Sequence, residues 1–188
     1  AKLFYEYIIE NTSYLNVGFM QDNYIPQSAS RTISTHLGDC KDVSTLFVAM
    51  CRVVGIDANV VLVLTRDNAE NNLLLPSNTF NHAIAELNVE GKRYFLELTS
   101  NQLSFGSVYD VLLDSKMLSI KQPKNGEADI LESVRLFDHT MENKVVRSRK
   151  IEFEGNNFKI DFLSTNYAGR AAYLRDSYSN IGLEEQNK

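Results

Sequence analysis

Tryptophan is absent from this 188-residue chain, and cysteine occurs only twice. Two cysteines in this length do not make a disulfide scaffold, so the fold is expected to rest on one buried core, with room for a small appendage. No apolar run approaches the roughly 20 residues of a membrane span, and no transmembrane segment is expected. There is no basic stripe either. The formal net charge is −5 with both signs interspersed, and no nucleic-acid partner is expected. Internal repeats, low-complexity tracts and a Gly-rich phosphate loop are all missing. His36 and His139 have no Cys or carboxylate partners at metal-ligand spacing, and Asp138-His139 reads as a solvated turn. Neither a metal nor a cofactor is expected. The chain begins at Ala1 rather than Met and ends in Gly-Leu-Glu-Glu-Gln-Asn-Lys. It therefore reads as a processed or excised piece, in which a missing targeting signal says little about compartment.

What is present is an ordinary globular composition, 44% hydrophobic and 23% charged. Apolar spacing predicts a short helix over Leu3–Asn11, and Pro26 and Gly38 bracket a second over Gln27–His36. The strongest helix has Asp39 as N-cap, Asp42 at the third helical position and Gly55 as its stop. Val43, Leu46, Phe47, Met50 and Val54 trace its buried face. Strands follow at Asn59–Leu64, His82–Val89 and Arg93–Leu98, the last two joined at Glu90-Gly91. The polar, Asn-rich stretch from Thr65 to Thr79 is an expected surface loop of functional or mobile type. An α+β domain results. Beyond Ser119 a connector over Lys121–Asp129 leads to expected strands at Val134–Phe137, Lys144–Phe153 and Phe158–Leu163. Asn156-Asn157 would turn the last two, and Tyr167–Tyr178 is an expected helix. The predicted division is thus 1–119 and a small β-rich module at 120–188.

Cys40 opens the best-predicted helix. Unpaired backbone N–H groups and the positive end of the helix dipole favour a thiolate there, and the same groups can hold an oxyanion. Standing three residues before Val43 and seven before Phe47, it points toward the body of the protein. A buried structural cysteine is the plain alternative, and that description suits Cys51, which lies mid-helix without a charged neighbour. His82 begins the following strand; alone, it would read as a satisfied histidine. With Glu90-Gly91 as a two-residue turn, Val89 pairs with Lys92, Ile84 with Glu97 and His82 with Thr99. Glu97 then becomes a diagonal, same-face neighbour of His82, placed to orient an imidazole. A three-residue turn would put Glu97 on the other face, and exposure at a sheet edge would also account for that carboxylate.

Gly38-Asp39-Cys40-Lys41-Asp42, the helix ending at Gly55-Ile56, Phe80-Asn81-His82 and Tyr94-Phe95-Leu96-Glu97-Leu98-Thr99 together resemble the bacterial transglutaminase-like domain. That domain belongs to a superfamily with papain-like proteases and peptide N-glycanases, and the resemblance spans about Leu3 to Ser119. It implies a central Cys-bearing helix packed on an antiparallel sheet, with Cys40 as nucleophile, His82 as base and Glu97 as the acid that orients the ring. The family usually reads Asp-Pro-Thr where this chain has Glu97-Leu98-Thr99, so the longer side chain must reach the ring from a more distant backbone. The family often places a Trp, Gln or Tyr as second oxyanion donor. Without a Trp, Tyr14 and Gln21 are the candidates, Tyr14 preferred, against the alternative of a core tyrosine. Tyr167, Gly169, Arg170 and Arg175 resemble part of a short C-terminal domain in larger bacterial proteins.

The resemblance implies an acyl-transfer enzyme acting on a peptide or protein substrate, hydrolysis being favoured over transamidation because no feature marks an acyl-acceptor site. It also implies a periplasmic or cell-envelope setting. The alternative is an inactive transglutaminase-like fold kept for binding or assembly, in keeping with Glu97 for Asp and the missing Trp.

Overall fold

The computed structural model of the chain describes residues 1–15, 24–68, 79–121, 130–136 and 143–179. Helix α1 covers Lys2–Asn11, α2 Ala29–Thr35 and α3 Cys40–Val53. Strands β1 (Ser13–Tyr14) and β2 (Leu37–Gly38) form a short parallel pair between the helices. Five antiparallel strands then make the main sheet in the order β5-β4-β3-β6-β7. They are β3 Asp57–Leu64, β4 His82–Val89, β5 Lys92–Leu96, β6 Lys116–Lys121 and β7 Ile130–Val134. The mixed α+β class, with a Cys-bearing helix on an antiparallel sheet, is the one the sequence predicts.

Helix α3 is fixed from its own sequence. Asp39 accepts from the N–H groups of Lys41 and Asp42, at 2.9 and 3.2 Å, and Asp42 accepts in return from the Asp39 N–H at 3.0 Å. This reciprocal cap satisfies donors that would otherwise face the core unpaired. Along one face Val43, Leu46, Phe47, Val48 and Cys51 pack with Ala58, Ala85, Leu87 and Leu96 of the sheet and with Tyr5 and Ile8 of α1. Val54, expected on that face, is 55% exposed, because as C-cap its backbone (ψ 13°) has left the helical path. Gly55 (φ 76°) completes the stop.

The Glu90-Gly91 turn has positive φ at both residues, 52° and 74°, the geometry whose twist suits a two-residue hairpin. Val89 accordingly pairs with Lys92, and the ladder runs to Ala85 opposite Leu96 and stops there with β5, so the expected pairs Ile84–Glu97 and His82–Thr99 are not formed. A second cluster with Val61, Val63, Ile84, Phe95, Val108, Leu112, Met117 and Val134 fills the remainder of the core. The fully buried Glu86 on β4 ties three strands together, accepting from Lys121 Nζ at 2.8 Å, from Arg93 Nε at 2.9 Å and from the Ser119 hydroxyl.

The boundary expected after Ser119 falls inside β6, where Ser119 pairs with both Val61 and Glu132. β6 is absent from the sequence reading, and β7 lies earlier than the expected strand at Val134–Phe137. Both belong to the main sheet. A long hairpin follows, β8 (Val145–Glu154) with β9 (Asn157–Asn166), and then α4 (Ala168–Ser179). Its turn is Gly155-Asn156 rather than Asn156-Asn157, because Gly155 (φ 62°) takes the left-handed position. On one hairpin face Ile151 opposes Ile160 and Phe153 opposes Phe158, all half or more exposed. Of the expected connector Lys121–Asp129, Lys121 ends β6 and 122–129 lie outside the described residues, as do His139 and 69–78 of the expected loop.

Candidate active site

Cys40 is the first residue of α3 and is 3% exposed. Several contacts hold this helix start. The Asp42 carboxylate accepts from the Gln27 N–H at 2.7 Å and from Gln27 Nε2 at 2.8 Å, pinning the segment before α2 against it. Lys41 and Asp39 form a buried ion pair. Gly38 permits the approach: a Cβ there would lie 2.8 Å from Asp42 Cβ and 3.1 Å from Thr32 Cγ2. The cap engages the N–H groups of Lys41 and Asp42, while among the described residues the Cys40 N–H has no acceptor. One backbone donor is thus left beside the sulfur.

His82 arrives from the sheet. Asn81 ties the end of β3 to the start of β4, its amide accepting from the Thr65 N–H at 2.9 Å and donating to Thr65 Oγ1 at 2.8 Å. Ser44, one turn along α3 from Cys40, donates to the Ala83 carbonyl at 3.4 Å. These bonds bring the His82 ring toward the Cys40 thiol, near enough for the sulfur to act on its charge. The other side of the ring meets Glu97, Nε2 to Oε2 at 2.7 Å. Glu97 is 1% exposed, and its second oxygen accepts from the Thr99 N–H at 3.0 Å and Thr99 Oγ1 at 2.7 Å. Burial disfavours a charged His82 ring, but the Glu97 carboxylate and the Cys40 sulfur outweigh it and push its pKa from 6.5 up to about 10. Burial likewise opposes charge on Glu97, and His82 with Thr99 more than offsets it, holding the carboxyl below its usual range.

Tyr14 closes the third side. The parallel pairing of Tyr14 with Gly38 sets it two residues from Cys40 across the ladder, with its hydroxyl near enough to the Cys40 side chain to feel its charge. Tyr14 is 39% exposed and so is no core tyrosine. Burial of its hydroxyl, then the charges of Cys40, Glu97 and Asp39, push its pKa well above the ordinary tyrosine value. It therefore stays a neutral O–H donor. Four expected site residues, Cys40, His82, Glu97 and Tyr14, come together; Gln21 lies outside the described residues.

A family model of the transglutaminase-like superfamily matches residues 1–96, half of the chain. The chain belongs to this superfamily. Among solved structures it is similar to a candidate cysteine protease from Cytophaga hutchinsonii, with 18% identity and a TM-score of 0.38 over 86% of this chain and 50% of that one. It is also similar to a candidate protease from Parabacteroides distasonis ATCC 8503, with 11% identity and a TM-score of 0.49 over 95% of this chain and 49% of that one. The chain spans about half the length of both structures. None of the curated proteins matches it.

Around this transglutaminase-like core the structure adds partners that the sequence reading did not single out. Thr99 was part of the motif, yet its double bond to Glu97 Oε1 is a new element, and the adjacency Glu97-Leu98-Thr99 was the signal for it. Tyr109 and Asp176 carried no signal, since 67 residues separate them. Both line a cleft of about 540 Å³ that also borders Tyr14 and Thr99. Cys51 is fully buried within the core, and burial pushes its thiol up although the Ala1 ammonium acts the other way. The His36 ring hydrogen-bonds the Asn11 carbonyl oxygen at 2.9 Å, holding the end of α1.

Proposed function

We propose that this chain is the core of a thiol acyl-transfer enzyme that cleaves peptide or carboxamide bonds through an acyl-thioester on Cys40. The observation that carries the reading is the convergence of Cys40, the 2.7 Å His82–Glu97 pair and Tyr14 at the start of one helix. Cys40 attacks the carbonyl carbon after its proton passes to His82. The Cys40 N–H and the Tyr14 hydroxyl are positioned for the resulting oxyanion. His82 then protonates the leaving amine, and water, activated by the same ring, releases the acyl group. Hydrolysis is favoured over transamidation, since no acyl-acceptor site is marked. The periplasmic or cell-envelope setting is part of this proposal and rests on the family resemblance; fractionation of the native host is its check.

At neutral pH, iodoacetamide is expected to alkylate Cys40 faster than a model thiol, and His82→Ala is expected to remove the excess rate. Equal rates for Cys40 and the model thiol would overturn the activated nucleophile. The near-complete burial of Cys40, 3% exposed, favours the rival, a fold kept for binding or assembly. That rival gains if a partner still binds Cys40→Ser intact while no peptide library is turned over. Tyr14→Phe keeps the ring and deletes one oxyanion donor, with an expected fall in kcat of about 10²-fold and little change in KM. An unchanged kcat would remove Tyr14 from the oxyanion site.

A further inference from the structure

Glu97 lies one residue past the end of β5, which stops at Leu96, so no ladder hydrogen bond sets its position. A glutamate there has one more torsion to restrain than an aspartate. The restraint visible in the structure is Thr99, whose N–H and hydroxyl both donate to Glu97 Oε1. Thr99 in turn belongs to an irregular stretch that runs from residue 97 to the short 3₁₀ turn at Asp110–Leu112. Side-chain bonds decide where such a stretch sits.

Tyr5 of α1 supplies one, donating to the Leu103 carbonyl at 3.2 Å, and α4 supplies those nearest Thr99. The Asp176 carboxylate accepts from the Ser100 hydroxyl at 3.1 Å and from the Tyr109 hydroxyl through the same oxygen. Ser100 Oγ also accepts from the Gln102 N–H at 3.1 Å, and Arg175 Nη2 donates to the Gln102 carbonyl at 2.6 Å. The other end of α4 is seated equally closely. The Gly169 N–H donates to Asn143 Oδ1 at 2.7 Å, and a Cβ at Gly169 would lie 2.2 Å from the Val108 carbonyl oxygen. Ala172 is fully buried and Arg170 pairs with Asp110 at 2.8 Å. Burial and then the Asp176 hydrogen bond keep Tyr109 protonated and therefore a donor.

We propose that Asp176 is a positioning residue of the site: it latches Ser100 and Tyr109, fixes the Thr99 clasp on Glu97, and so sets the orientation of His82. The inference rests on the reading of Cys40, His82 and Glu97 as the reacting group. It makes α4, which lies outside the family match to residues 1–96, part of the machinery that holds the ring.

The test follows the His82 imidazole by NMR titration in the full chain, with near-neutral melting curves to establish folding. The groups facing that ring are Glu97 and Cys40. In the unsubstituted protein His82 is expected to titrate near pH 10. Asp176→Ala is expected to lower the midpoint by about one unit or more, as the Glu97 contact loosens. Asp176→Asn keeps the acceptor lone pairs and loses the charge, and the midpoint is expected to stay within about 0.3 units of the unsubstituted protein. A folded Asp176→Ala protein with an unmoved midpoint overturns the latch. So does Asp176→Asn falling as far as Asp176→Ala, which would mean that charge acts through space. Should Asp176→Ala fail to fold, Tyr109→Phe removes one donor while keeping the ring, and an unmoved His82 there overturns the latch as well. A His82 midpoint that Glu97→Gln leaves in place instead removes the Cys40–His82–Glu97 reading itself, and the latch with it.

Discussion

His82→Ala is expected to reduce turnover of any peptide substrate by about 10⁴-fold or more, while leaving the protein folded. In the proposed mechanism the imidazole accepts the Cys40 proton and delivers it to the leaving nitrogen, so both halves of the cycle lose it together. The side chain is 16% exposed and lies at the first residue of β4. Its removal leaves a small gap beside Cys40 and Glu97. A larger stability cost arises at Glu97, which becomes a carboxylate in the core with Thr99 as its remaining partner among the described residues. A kcat loss larger than that of Tyr14→Phe, with a cooperative melt retained, is the expected pattern. A His82→Ala protein that keeps its turnover would mean that another base serves Cys40.

Glu97→Gln is expected to lower kcat by about 10²-fold or more and to move the alkaline limb of the pH profile. The sign follows from the charges. His82 has to carry a proton when it meets the leaving amine, so activity is lost as pH rises through its pKa of about 10. The Glu97 carboxylate is the main influence raising that value against burial. Without the charge, burial dominates, and the limb is expected to fall by more than one pH unit. A limb that stays in place would show that Glu97 does not set the ring's protonation. Stability is linked in the same direction. The His82 contribution is complete below its unfolded value of 6.5 and is lost as pH rises through about 10. The Glu97 contribution is complete above its unfolded value of 4.5 and is lost as pH falls through its depressed folded value. The melting temperature of the unsubstituted protein is therefore expected to fall between pH 6.5 and 10 more than that of Glu97→Gln.

The elements that were legible in the chain are those whose causes are local. Asp39 and Asp42 announce a capped helix because all three bonds of the cap close within four residues, and Cys40 inherits its place from that cap. Glu90-Gly91 is a second local device. Its twist counts out the register as far as Ala85 opposite Leu96 and so aims the chain toward His82; the 2.7 Å contact of Glu97 is completed beyond the ladder.

What the sequence left open has a common physical origin in contacts that bridge distant segments. Tyr14 was preferred over Gln21 as donor only through the family resemblance. Pairing of Tyr14 with Gly38 across the β1–β2 ladder sets the Tyr14 hydroxyl against the sulfur. β6 and β7 complete the sheet because β6 finds β3 more than 50 residues upstream, which no periodicity near Ser119 announces. Asp176 meets Ser100 across 76 residues. Cys40 at the head of its helix, and the register of the His82 hairpin, were thus determined by the sequence itself, because hydrogen bonds between near neighbours enforce them. The tertiary structure decided which hydroxyl faces the thiol and what holds Glu97 still, because those positions exist only after strands and helices far apart in the chain have packed.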